Sequence, residues 1–322
     1  MDQGMLLYLL SVATMIGLYA ILTLGLNLQW GFAGLFDAGI AGFFAVGAYA
    51  STILTTPPSD DHLGGFDLPI PVGLAASVGL SALLGYAVAR ICLRLKSDYL
   101  AIATIGVAEI LRLVLRNESW MTGGSRGIAG IPRPFEDFEQ PWGELAFLII
   151  VAGIVLVLYL AIERAWHSPW GRVLRAIREN EAAAEAAGKD VVAYRAQVFA
   201  LGSAVMGLAG GLTAHYFKFI GPDATEPVLT TFLVWVMLIA GGSGNNRGAI
   251  LGAALLWIIW SGTEFLTQNL LPPDWQTRSA YLRVFLIGLL LQVVLQRYAQ
   301  GLLPERPPGL DSPSNDVRKP VE

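Results

Sequence analysis

Long uncharged apolar runs, separated by short polar stretches, recur along the whole chain. A helix needs about 20 such residues to cross a bilayer. Met5–Leu28 predicts a first span, and the run FDAGIAGFFAVGAYASTIL a second. Pro69 to Leu93, Tyr99 to Leu115, Leu145 to Ile162 and Val191 to Phe217 predict the third to sixth. Val228 to Ala240, Ala249 to Leu266 and Ala280 to Gln296 complete the set. The expected fold class is all-α, a polytopic helical membrane protein of about nine spans over residues 1–300. Residues 301–322 are rich in proline, serine and charge, and predict a disordered cytoplasmic tail. The first run is interrupted at LNLQWGFAG by Asn27, Gln29 and glycines, so the first span is expected to end there. In the second, Gly39, Gly42 and Gly47 permit close helix approach.

The polar stretches differ in kind. Thr55–Asp67 is acidic, and Arg116–Gly143, with TGGSRGIAGIP, reads as a shaped loop because glycine and proline punctuate it. Ser168–Gly188, SPWGRVLRAIRENEAAAEAAG, instead reads as one helix, with Ser168 as N-cap, Pro169 at the first position and Gly188 closing it. Its arginines (Arg172, Arg175, Arg178) lie toward the positive end and Glu181 and Glu185 toward the negative end, against the dipole. Two readings follow: docking onto another protein at the membrane surface, or anchoring by the arginines. Lysine and arginine gather on cytoplasmic segments. An external N-terminus and cytoplasmic C-terminus place about two-thirds of them inside, this helix included.

Composition agrees with the pattern. The chain has 322 residues, 54% hydrophobic and 14% charged, with mean hydropathy +0.56. An average soluble domain carries roughly 25% charge, so a water-soluble globule is excluded. The N-terminus MDQG lacks a basic signal region, so the first run is expected to stay as a span. Cys92 is single, and His62, His167 and His215 lie far apart, so no metal site is expected. No Walker A, GxSxG, HExxH or CxxC pattern occurs, which argues against an enzyme and against a bound cofactor. Nothing points to nucleic acid. Polar and charged groups within spans are costly and mark candidates for a translocation path: Asn27, Asp37, Glu109 and Arg112. The alternatives are a structural ion pair for Glu109 and Arg112, three residues apart on a helix, and a helix cap for Asp37. Glu264, His215 and Lys218 lie near outer ends.

Five collinear blocks carry a more specific resemblance. LNLQWGFAGLFDAGIAGFFAVGAY (Leu26–Tyr49), LRLKSDYLAIATIGVAEILRLVL (Leu93–Leu115), MTGGSRGIAGIP (Met121–Pro132), Ser168–Gly188 and GGSGNNRGAILGA (Gly241–Ala253) together resemble the LivM-type permease of bacterial branched-chain amino acid ABC importers. The resemblance implies a multi-pass subunit of the inner membrane, with the N-terminus periplasmic. Its implied partners are a second homologous permease, two cytoplasmic ATPases that hold ATP and Mg, and a periplasmic solute-binding protein. It makes Ser168–Gly188 a coupling helix, with Gly171, Arg172, Arg175, Ala176, Arg178, Glu179, Asn180, Glu181 and Gly188 in the ATPase contact region. The implied function is uptake of branched-chain or other hydrophobic amino acids by ATP-driven alternating access. Urea or short amides are the alternative solutes, and an ion-coupled carrier using Asp37 and Glu109 the alternative mechanism. Two departures stand out. Phe36-Asp37-Ala38-Gly39-Ile40 occupies the place where many members read Leu-Ser-Leu-Gly-His, and the coupling segment lacks the Ile-x-Leu-Pro ending of other importers.

Overall fold

The computed structural model describes residues 3–58, 62–92, 95, 97–225, 227–270, 273–298 and 300–305. Asp60, Asp61, Arg94, Lys96 and residues 306–322, on which parts of the charge-bias and tail expectations rest, lie outside them. Each of the nine predicted apolar segments contains a helix, although residues 36–39 at the head of the second are not helical. The helices are α1 (Gln3–Leu26), α2 (Ile40–Thr55), α3 (Ile70–Cys92), α4 (Ser97–Asn117), the short α5 (Ser119–Thr122) and α6 (Trp142–His167). Then follow α7 (Pro169–Glu179), α8 (Glu181–Ala186), α9 (Val191–Phe217), α10 (Pro227–Gly241), α11 (Asn246–Leu270) and α12 (Pro273–Arg297). Five helices among the described residues are long and apolar enough to cross a membrane: Gln3–Phe32, Ile70–Cys92, Trp142–His167, Val191–Phe217 and Asn246–Thr267. Ile40–Thr55, Thr230–Gly241 and Val284–Arg297 are shorter apolar helices. The protein is a polytopic helical membrane protein.

Helices α2, α3 and α9 form the tightest part of the bundle because small residues face one another. A Cβ on Gly47 would run into the Gly207 carbonyl, and one on Gly210 into that of Phe44. The Ser77 hydroxyl donates to the Gly47 carbonyl at 2.6 Å, and that of Ser81 to the Phe43 carbonyl at 3.0 Å. Between helices surrounded by lipid, such close approach and hydrogen bonding replace the hydrophobic drive available in water. Helix α1 joins at Gly25, where a Cβ would stand 3.0 Å from both the Gly202 carbonyl and the Met206 side chain.

The first span does not end at Leu28. The helix continues as a π-helix through Asn27–Phe32 and turns only at Gly34, whose φ is +67°. The reason is that the polar side chains here bond to neighbouring helices instead of water. Gln29 Nε2 donates to the Phe199 carbonyl at 3.1 Å and to Ser203 at 3.3 Å. The predicted disorder of the tail also fails for its first residues. Gly301 is buried with φ +80°, and the Leu302 and Leu303 amides donate to the Ala240 and Gly241 carbonyls, both at 2.9 Å. This backbone pairing gives the segment the partners that its polar composition does not reveal.

The loop 116–143 is shaped, as its glycines predict. Positive φ at Gly123, Gly124, Gly127 and Gly130 brings β1 (Ile128–Ala129) antiparallel to β2 (Phe219–Ile220). Buried His215 ties this loop to the bundle, with Nδ1 at 2.6 Å from the Pro132 carbonyl and Nε2 at 2.8 Å from Ser51 Oγ. Arg133 makes a two-pronged pair with Glu144, at 2.8 and 2.6 Å.

Candidate coupling surface

Ser168–Gly188 is not one helix. Ser168 caps α7 as predicted, its Oγ accepting the Gly171 amide at 3.4 Å, and Gly188 takes a positive φ of 77°. Between them the chain breaks at Asn180 (φ −154°, ψ 98°), whose Oδ1 accepts the Ala183 amide at 3.0 Å and starts α8. An asparagine side chain satisfies free amides at a helix start, so it competes with continuation of the helix before it. The break reverses the dipole argument for two of its five charges. Arg178 stands in the last turn of α7 and Glu181 in the first turn of α8, where each charge is favoured. Arg172, near the start of α7, and Glu185, in the last turn of α8, remain opposed.

Helix α7 is two-faced. Gly171, Leu174 and Ile177, at helical spacing, are buried, and Ile177 packs with Ala184 of α8 and Val191 of α9. Facing outward are Arg172, Ala176, Glu179, Asn180, Glu181 and Gly188, six of the nine predicted contact residues. Glu181 also accepts from Arg195 at 2.7 Å, which holds α8 against α9. The remaining three point inward. Gly171 is a packing residue, since a Cβ there would lie 2.6 Å from the Ala165 carbonyl. Arg175 lies over the Trp166 ring at 4.4 Å, and the Trp166 ring in turn meets Phe32 at 4.1 Å. Arg178 donates to the Gly31 carbonyl and, through Nη2, to both carboxylate oxygens of Glu305 at 2.9 Å.

Beneath this surface lies a polar node that the sequence did not predict. Asn27, fully buried, accepts the Gly244 amide at 2.8 Å and donates to Asn246 Oδ1 at 2.9 Å. Asn246 donates onward to Glu163 of α6 at 2.7 Å. Asn245 donates to the carbonyls of Leu303 and Pro304, at 3.3 and 3.2 Å. The GGSGNNRG turn, the π-helical end of the first span, the end of α6 and residues 300–305 therefore meet in one place. No glycine or asparagine in the sequence announces a partner 217 or 219 positions away.

The candidate path residues do not converge. Asn27 spends both ends of its amide on the node. Asp37 is fully buried, and its Oδ1 accepts the Gly39 amide at 2.8 Å, shaping the turn into α2. Among the described residues its Oδ2 and the nearby Gln29 Oε1 have no hydrogen-bond partner. A serine can make the same side-chain turn, so the acid fills a local backbone role expected of the usual residue. Ile40 is fully buried, an apolar place. Glu109 and Arg112 join each other by two bonds, at 3.0 and 2.6 Å, which is the structural pair. A cavity of about 400 Å³ instead opens between α1, α2 and α9, walled by Leu18, Tyr19, Leu22, Phe44, Thr213 and Phe217 among others. None of the four candidates lines it. In sequence its apolar walls cannot be told from core.

Comparison with known proteins follows the same blocks. Residues 8–295 match the family described as the permease component of branched-chain amino acid transport systems. The LivM permease protein of the high-affinity branched-chain amino acid transport system of Salmonella typhimurium is 32% identical, over 96% of this chain and 73% of its own length. A probable LivM permease protein of Methanocaldococcus jannaschii is 29% identical, over 90% of this chain and 92% of its own. The LivH permease protein of Escherichia coli is 21% identical, over 85% and 89%. No solved structure matches. By the extent of these matches, the chain belongs to the permease component family of branched-chain amino acid transport systems.

Proposed function

We propose that this chain is one of two homologous permease subunits of an ABC importer in the bacterial inner membrane, and that its cargo is branched-chain or other hydrophobic amino acids. Similarity to both LivM and LivH supports a second, related permease as partner. On this reading two separate cytoplasmic ATPases bind ATP and Mg and press on residues 169–187, while a periplasmic protein delivers the solute. The C-terminus is then cytoplasmic and the N-terminus periplasmic. The observation that carries the proposal is the built surface of α7 and α8, whose inner face is packed and whose outer face is left open. The apolar cavity between α1, α2 and α9 suits a hydrophobic solute and is the proposed part of its path. The ion-coupled alternative is less favoured, because Glu109 is engaged by Arg112 and Asp37 by the Gly39 amide.

The test is reconstitution of permease pair, ATPases and binding protein in liposomes. Arg172→Glu and Ala176→Trp alter only exposed positions, so membrane insertion is expected to be normal. Solute-stimulated ATP hydrolysis is expected to fall at least about tenfold, the loss of a single important interface contact. Full stimulation in both variants overturns the docking proposal. Retention of leucine, isoleucine or valine by the partnering binding protein, against urea or short amides, decides the cargo.

A further inference from the structure

We infer that Arg178 and Glu305 form a positioning strut, which delivers movement of the α7–α8 surface to the break at the end of the first span. This rests on the reading of that surface as the ATPase dock. Arg178 is a predicted docking residue that the structure turns inward. One nitrogen donates to the Gly31 carbonyl in the π-helical end of α1, and another grips both oxygens of Glu305. Its stem lies against Gly34, where an added Cβ would stand 3.1 Å from Arg178 Cγ. A guanidinium fixed at two sides is a stiff link, because its planar fork loses little freedom per bond formed.

Glu305 is held in place independently. The Leu302 and Leu303 amides bind the end of α10, and Asn245 clamps the Leu303 and Pro304 carbonyls. The Glu305 carboxylate itself leans on Gly244, where a Cβ would come within 2.6 Å of Oε2. Gly244 donates to Asn27, one helical turn before Gly31. Displacement of α7 therefore loads Gly31 directly, and loads Asn27 through Glu305 and the Gly244 turn. Both loads meet on residues 27–34, the stretch that leads into the turn before α2. Removal of Arg178 leaves the outer surface and the apolar packing of α7 intact and cuts the polar link from that surface to residues 27–34.

In the reconstituted importer, Arg178→Met and Glu305→Gln are to be compared with wild type and with Arg172→Glu. Three quantities are read: ATPase bound to the permease, solute-stimulated hydrolysis, and solute taken up per ATP. Both strut variants are expected to keep ATPase bound. Uptake per ATP falls about tenfold in Arg178→Met, the scale of one charge-assisted hydrogen bond, and by about three- to tenfold in Glu305→Gln. Arg178→Lys, which keeps charge and one donor, recovers part of the loss. Wild-type uptake per ATP in Arg178→Met overturns the strut, as does release of ATPase equal to that of Arg172→Glu, which makes Arg178 a docking residue. Should Arg178→Met fail to fold, Glu305→Gln decides alone, and an unchanged ratio there overturns the strut. Intact hydrolysis in Arg172→Glu instead removes the docking reading itself.

Discussion

Replacing Asn27 by leucine tests the polar node beneath the α7–α8 surface. The two side chains are of similar size, so the change is chemical more than steric. Asn27 is fully buried, and both ends of its amide are used. Leucine removes the acceptor from the Gly244 amide and the donor from Asn246 Oδ1. Interhelical hydrogen bonds in membranes contribute on average only about 0.6 kcal/mol each, because the unfolded chain finds other partners in the bilayer. If that were all, the loss would be about 1 kcal/mol. A buried group left without any partner costs more, about 1–3 kcal/mol. Gly244 cannot turn away, since its backbone is fixed at φ +79° against Glu305. Asn246 cannot rotate to help without giving up Glu163. The expected destabilisation is therefore about 2–4 kcal/mol, after allowance for the apolar gain of leucine.

Reversible denaturant titration in mixed micelles measures it, with Asn246→Leu and the double variant completing a cycle. Because Asn27 and Asn246 bond to each other, the double variant should cost less than the sum of the singles by about 1 kcal/mol or more. A single-variant loss below about 1 kcal/mol, with additive singles, refutes the view that these groups have no other partners. Asn27→Asp adds a sharper case. Its carboxylate still accepts from Gly244 but faces the Asn246 oxygen, so it should destabilise at least as much as leucine despite its shape.

Gly47→Val places side-chain atoms where the Gly207 carbonyl lies and is expected to block assembly of α2 with α9, read as loss of monodisperse protein after extraction, whereas Gly79→Val, with nothing within 4 Å, is expected to be silent. Asp37→Ser keeps an acceptor for the Gly39 amide and should retain near-wild-type uptake, while Asp37→Leu leaves that buried amide unpaired and should lower stability by about 1–3 kcal/mol in the same titration. Thr213→Phe extends into the cavity and should reduce solute uptake more than it reduces ATPase binding; equal uptake argues against that cavity as part of the path. The Lys218 ammonium beside Glu136 holds that carboxyl below its usual range. Its contribution is present above the unfolded value and is lost as pH falls through the lower folded one, so Lys218→Met should flatten the acid limb of the protein's stability profile.

The apolar pattern made the long helices legible, since membrane length leaves few other structures for such runs, although α4, the fourth predicted span, is not among the apolar helices of the described residues. Helix boundaries are less legible where polar side chains interrupt an apolar run. Asn27 and Gln29 instead continue the first span as a π-helix because other helices supply their partners. Asn180 is the opposite case: it has the chemistry of a helix start, but no glycine or proline beside it marks the break. The break at Asn180 removes the dipole mismatch at Arg178 and Glu181 and leaves it at Arg172 and Glu185. The outer face of α7 survived the correction, because helical spacing alone separates Arg172, Ala176 and Glu179 from Leu174 and Ile177.

Arg178 shows most clearly what local sequence withholds. Its spacing from Arg172 and Arg175 places it within the same basic run, and nothing nearby distinguishes it. The structure separates the three by their partners: Arg172 faces outward, Arg175 lies on Trp166, and Arg178 is held by Gly31 and Glu305. A docking surface must be exposed to be bound, yet it transmits force only if some of its residues are anchored behind it. The same short helix meets both demands by turning successive basic residues in different directions. A uniformly exposed basic helix would suffice for membrane anchoring, and the inward pairing of Arg178 is the feature that such anchoring does not require.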